Sequence, residues 1–77
     1  MTNDLRARYE CAKSMHEKYH NAYENASQKV RVAFERNDVD AMREYFEDVK
    51  LYLSLSADAM DEMTQYSKQL RQRYARV

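Results

Sequence analysis

The feature that most constrains this chain is an absence: its 77 residues contain neither glycine nor proline. An average chain of that length would carry about nine of the two together. Without glycine, left-handed turns, phosphate-cradling loops and two-residue β-hairpin turns lose their easiest residue. Without proline, no position inside a helix is forced to break. Ala, Glu, Lys, Leu and Arg make up 34 of the 77 residues, a composition close to that of long helices. We therefore expect an all-α protein.

Periodicity turns that expectation into an arrangement. Apolar positions advance in alternating steps of three and four through two segments. The first runs Leu5, Tyr9, Ala12, His16, Tyr19, Tyr23, Ala26, Val30, Ala33. The second runs Met42, Phe46, Val49, Leu53, Ser56, Met60, Met63, Ser67, Leu70, Tyr74, Val77. Such a heptad pattern predicts two helices packed side by side, knobs into holes. Between them lies Glu35-Arg36-Asn37-Asp38-Val39-Asp40, the best break in the chain, where Asn37 or Asp38 is suited to cap the second helix and Asp40 to favour its first turn. The reading is a single domain, residues 1–77, with helix one at 4–36, a turn at 37–38 and helix two at 39–76, folded as an antiparallel hairpin. A single unbroken helix dimerised as a coiled coil is the structural alternative. The Asn- and Ser-containing stretch from His20 to Ser27 is where helix one has least intrinsic preference and a kink is expected if there is one.

Folding back at Asn37 sets seam residues opposite each other when their numbers add to about 75. Ala12 then faces Met63, Ala26 faces Val49, Ala33 faces Met42, Ser56 falls near Tyr19, Ser67 near Tyr9 and His16 near Met60. Large side chains meet small ones, and the two serines meet tyrosine hydroxyls.

Size and charge limit the function classes. A chain this short buries only about 60% of its unfolded surface, so a lone core is marginal and a disulfide, metal or partner chain is usually needed. Cys11 is the only cysteine, which excludes an internal disulfide; with no charged-then-apolar leader at the start, the expected setting is reducing and cytoplasmic. The longest run free of charged residues, 51–57, is far below the roughly 20 residues of a membrane span. Net charge is zero, so general attraction to nucleic acid or membrane is not built in. Within helix two the charges are sorted: eight acids and two bases over 38–62, then four bases and no acid over 63–77, matching the helix dipole.

The sharpest motif is His16-Glu17-Lys18-Tyr19-His20, an H-E-x-x-H. Over these five residues it resembles the zinc metalloprotease signature, which implies His16 and His20 as metal ligands and Glu17 as general base. The resemblance stops there. Tyr23 stands where the extended signature has glycine, no later histidine supplies a third ligand, and no strand is available to hold a peptide substrate. Glu17 and His20 also form half of a di-iron bundle motif, without the second half. We expect no metal, no other cofactor and no catalytic residue.

Tyr45, Tyr52 and Tyr66, with Ala59 in the gap, recur every seven residues beside the predicted seam, and Leu51 and Leu55 add apolar surface. From Val49 to Ala59, including Leu53, helix two is apolar nearly all round, and a two-helix hairpin covers only one stripe. Tyr45, Val49, Leu51, Tyr52, Leu53, Leu55 and Tyr66 are therefore the candidate partner-binding residues, the partner being a different protein, a second copy of the chain, or both. The hairpin also gathers Arg6, Arg8, Lys68, Arg71, Arg73 and Arg76 at its terminal end, a candidate grip for a phosphate backbone or an acidic protein. In size and outline the chain is similar to the small helical-hairpin chaperones of bacterial secretion systems and to small phage-encoded inhibitors. That likeness implies a non-enzymatic adaptor, chaperone or inhibitor; a small helical nucleic-acid-binding regulator is the alternative, and a metal-binding helical protein the third.

Overall fold

The computed structural model describes the backbone of residues 2–75 and the side chains of residues 4–73. It is an antiparallel helical hairpin: α1 spans Thr2–Glu35 and α2 spans Val39–Ala75. The molecule measures 60 × 14 × 13 Å, the length of its helices and the width of two. Helix α1 runs through the Asn- and Ser-containing stretch without interruption. Tertiary packing of a regular apolar stripe outweighs the weak preference of a few residues there.

The reversal at residues 36–38 solves the turn without glycine. Asn37 takes the left-handed conformation, with φ 58°. Asparagine is the residue after glycine that best tolerates this region. Its N–H donates to the Phe34 carbonyl at 3.1 Å, and the Asp38 N–H donates to the Ala33 carbonyl at 2.9 Å. Those two bonds are the paired closure of a Schellman motif, and they satisfy the orphan carbonyls at the end of α1. Asp38 then caps α2: its Oδ1 accepts from the Ala41 N–H at 3.1 Å, and its carbonyl accepts the first helical bond, from Met42, at 3.0 Å. Three residues thus end one helix and start the next. Asp38→Ala is expected to cost about 1 kcal/mol by removing the cap. Asn37→Gly should raise the melting temperature, because glycine enters the left-handed region with no steric cost. Thermal melts of the two variants check both signs.

The seam of α1 lies where the heptad puts it. Leu5, Ala12, Ala26 and Ala33 are buried, and Tyr9, His16, Tyr19, Tyr23 and Val30 are half-buried along the same stripe. Helix α2 differs from the sequence expectation. Met42, Val49, Ser56, Met63 and Leu70 do face α1, but the second row of the seam is Tyr45, Tyr52, Ala59 and Tyr66 rather than Phe46, Leu53 and Met60. Ala59 is buried, whereas Phe46, Leu53 and Met60 are 49%, 54% and 44% exposed. Ser67 is half-buried, and the side chains of Tyr74 and Val77 lie outside the described residues. The contact line is therefore turned by about 50°, half the angle between successive residues.

Both rows satisfy the three-four alternation, so periodicity alone does not choose between them. Polarity does. A tyrosine at the edge of a seam buries its ring against small residues and keeps its hydroxyl in water. Lys29 supports that placement from α1, with its ammonium 5.6 Å from the Tyr45 ring centre. Among the described residues no side-chain hydrogen bond or ion pair joins the two helices; the ones present are local, such as Lys50 to Glu47 at 3.5 Å. The expected pairing of Ser56 with a tyrosine hydroxyl is absent. Apolar contact, with the Lys29–Tyr45 cation-π contact beside it, holds this hairpin shut.

Candidate functional site

The rotation of α2 leaves a row on the outside of the molecule. Val39, Phe46, Leu53 and Met60 stand seven residues apart, all substantially exposed. Seven residues are almost two full turns, so the four lie along one flank of α2. Two grooves show what stands beside them. Near the turn, Phe46 lines a groove with Val30 of α1 and with Met42, Arg43, Glu47 and Lys50 of α2. Near the termini, Met60 lines another with Tyr9, Met63, Thr64, Ser67, Lys68 and Arg71. Val30 and Tyr9 belong to one heptad row of α1, which also holds Tyr23 and His16. Val30 shares its groove with Phe46, and Tyr9 shares the other with Met60 and Ser67. Carried between these two grooves, the same register sets Tyr23 beside Leu53 and His16 beside Met60, so the two rows make one face, with Arg43, Glu47, Lys50, Lys68 and Arg71 along its edge.

This face overlaps only partly with the belt read from sequence. Leu53 is on it. Tyr45, Val49, Tyr52, Leu55 and Tyr66 are half-buried along the hairpin. Leu51 is 53% exposed but looks away from the face, on the opposite side of α2. Phe46 and Met60 were hidden from sequence reasoning because they fit the seam pattern equally well; the signal that singles them out is the row Tyr45, Tyr52, Ala59 and Tyr66, one residue ahead, which fits the seam too.

The opposite side of the hairpin is more polar. Asn25, Gln28, Lys29, Val32, Arg36, Asp38, Ala41 and Tyr45 border a groove near the turn. Cys11 is exposed on α1, and its thiol has no structural role in the seam.

At the terminal end, Arg6, Arg8, Lys68, Arg71 and Arg73 are exposed, and Arg76 lies outside the described residues. Arg6 borders Tyr9, Glu10 and Leu70, while Lys68 and Arg71 border Tyr9 from the other side. Three bases thus surround one tyrosine, with Glu10 among them. Arg8 continues the row of Met15 and Ala22, and Arg73 the row of Tyr52, Ala59 and Tyr66, both apart from Lys68 and Arg71, so the five described bases form a charged end rather than one patch.

The H-E-x-x-H residues are arranged as a stack. The His16 and His20 rings are 6.1 Å apart and nearly parallel at 12°, and Tyr23 continues the stack 6.3 Å beyond His20. His20 Nε2 lies 3.1 Å from the Glu24 carboxylate one turn on. Among the described residues no group of three or more His, Cys, Asp or Glu side chains gathers where a metal ion would sit. Nor is any described helix long and apolar enough to cross a membrane.

The class defined by these features is an all-α helical hairpin that exposes a row of large apolar side chains along one flank of α2. Comparison with protein families, with curated proteins and with solved structures finds no significant match to this chain.

Proposed function

We propose that this chain is a non-enzymatic protein-interaction module whose working surface is the face formed by Phe46, Leu53 and Met60 with Tyr9, Tyr23 and Val30. One observation carries the reading: three large apolar side chains on α2, spaced by seven and each about half exposed, continue a helix-packing pattern outward from the hairpin. Single exposed apolar residues are ordinary on protein surfaces; an aligned row flanked by a second row is an interaction surface. Phenylalanine, leucine and methionine suit an apolar helical partner, and methionine adapts to irregular ones. Adaptor, chaperone and inhibitor are the finer roles consistent with such a surface. The charged terminal end is a weaker basis for function, since zero net charge gives no long-range attraction to a polyanion.

Site-specific photo-crosslinking in cells tests this proposal. A benzophenone side chain at Leu53 should give discrete protein adducts, with a second copy or with a different protein. The same probe at Ser14, exposed on the far side of α1, should give none. Equal labelling at both positions, or none at Leu53, would overturn the reading.

A further inference from the structure

We infer that a second copy of this chain covers the Phe46–Leu53–Met60 face, head to tail, so that two hairpins close into a four-helix bundle. This rests on reading that face as a protein-binding surface and names its occupant.

The first support is area. A folded monomer of 9.3 kDa exposes about 5,000 Å². This chain exposes 6423 Å². The surplus, on the order of 1,400 Å², exceeds the roughly 800 Å² that each partner contributes to a standard interface. The hairpin is correspondingly stretched, with a radius of gyration of 17.4 Å where a compact chain of its length has about 11–12 Å.

The second support is the state of the core. No large side chain is fully buried among the described residues; the buried set is Leu5, four alanines and Ser56. Tyrosine, valine and methionine side chains of the seam are only half-covered. A bundle of four helices covers them by laying another pair across the seam edge, the geometry in which heptad-patterned hairpins complete a core.

The third support is the match of the face with its own inverse. A two-fold axis across the helices lays α1 on α1 and α2 on α2, each pair antiparallel. The Val30–Phe46 layer then meets Tyr9 and Ser67 of the second copy, and the Tyr23–Leu53 layer meets His16 and Met60. Each layer then mixes polar with apolar side chains, and Ser67 leaves room for Phe46 in the outer one. The other two-fold, along the helices, lays α1 on α2, so that each layer meets itself: Phe46 falls on Val30 and two His16 rings share one layer. The charge of the ends decides between the two arrangements. Residues 1–12 with 64–77 carry six bases against Asp4 and Glu10. Head-to-tail pairing holds these two basic ends a bundle length apart; same-end pairing sets them side by side, where like charges repel.

The test combines mass with one distance. Sedimentation of the purified chain at micromolar concentration should give twice the 9.3 kDa chain mass. Phe46→Asp with Leu53→Asp should halve it, while Leu51→Asp, on the opposite side of α2, should leave it unchanged. For orientation, a spin label at Glu35→Cys in a Cys11→Ser background should report a label-to-label distance of about 45 Å, from the 1.5 Å rise per residue. Same-end pairing would give under about 25 Å, given helices packed 8–10 Å apart, and would overturn the head-to-tail inference. A wild-type chain that stays monomeric to about 100 μM would overturn self-association altogether. If that monomer still gave Leu53-specific adducts with a different protein, the interaction-surface reading would survive this failure. Without such adducts both would fall.

Discussion

Ala26→Asp is expected to unfold the hairpin. Ala26 is 5% exposed in the middle of α1, on the stripe that meets α2. A carboxylate there is pressed against α2, away from water, and the nearest base on its own helix, Lys29, is exposed and lies over the Tyr45 ring. An unpaired buried charge costs about 3–5 kcal/mol. At roughly 0.05–0.15 kcal/mol per residue, a chain of this length has about 4–11 kcal/mol of total stability. The substitution therefore consumes most of it. The far-UV circular dichroism signal at 25 °C should fall by more than half, because long helices that lose their packing keep little helicity in water. Ser14→Asp, on the exposed side of the same helix, provides the control and should leave the signal intact. A folded Ala26→Asp chain would mean that the alanine stripe is not the contact surface.

The alanines also explain what was legible in the sequence. Two helices and one turn followed from the missing glycine and proline and from the three-four alternation, a signal repeated too often along each helix to be ambiguous. Helix α1 has one apolar stripe, and its seam lies where that stripe lies. Helix α2 has three apolar rows side by side, beginning at Met42, Tyr45 and Phe46. A hairpin uses two of them. Position counting gives no reason to prefer Phe46 over Tyr45, and the distinction comes from packing in three dimensions, where Tyr45 shares a groove with Ala33 and lies under the Lys29 ammonium. The turn was legible in place but not in mechanism. Its left-handed residue was hard to foresee in a chain without glycine, yet Asn37 is the one residue of the break suited to that conformation after a helix. The exposure of Phe46 and Met60 was missed for the reason that the seam was misplaced, since each row assigned to the core is a row removed from the surface.

Ser56→Leu is expected to destabilise the hairpin by about 1–3 kcal/mol through overpacking. For a domain of this length each kcal/mol lowers the melting temperature by about 4–8 °C. Ser56 is the one buried polar residue among the described side chains, in the centre of α2. The register that sets Ala12 against Met63 and Ala26 against Val49 places Tyr19 opposite Ser56, and grooves shared by Tyr9 with Ser67 and by Val30 with Phe46 agree with it. A small residue is needed there because the layer already carries a tyrosine ring. Slipping the helices by one heptad would put Ser56 against Ala12 or Ala26, and leucine would then fill space and stabilise. Ser56→Ala separates volume from polarity. No hydrogen bond joins the serine to α1, so alanine should change stability by less than about 1 kcal/mol. A melting temperature lowered by leucine and nearly unchanged by alanine identifies a steric requirement at this layer. A rise with leucine would exclude the register, and with it the pairing of rows that leaves Phe46, Leu53 and Met60 outside.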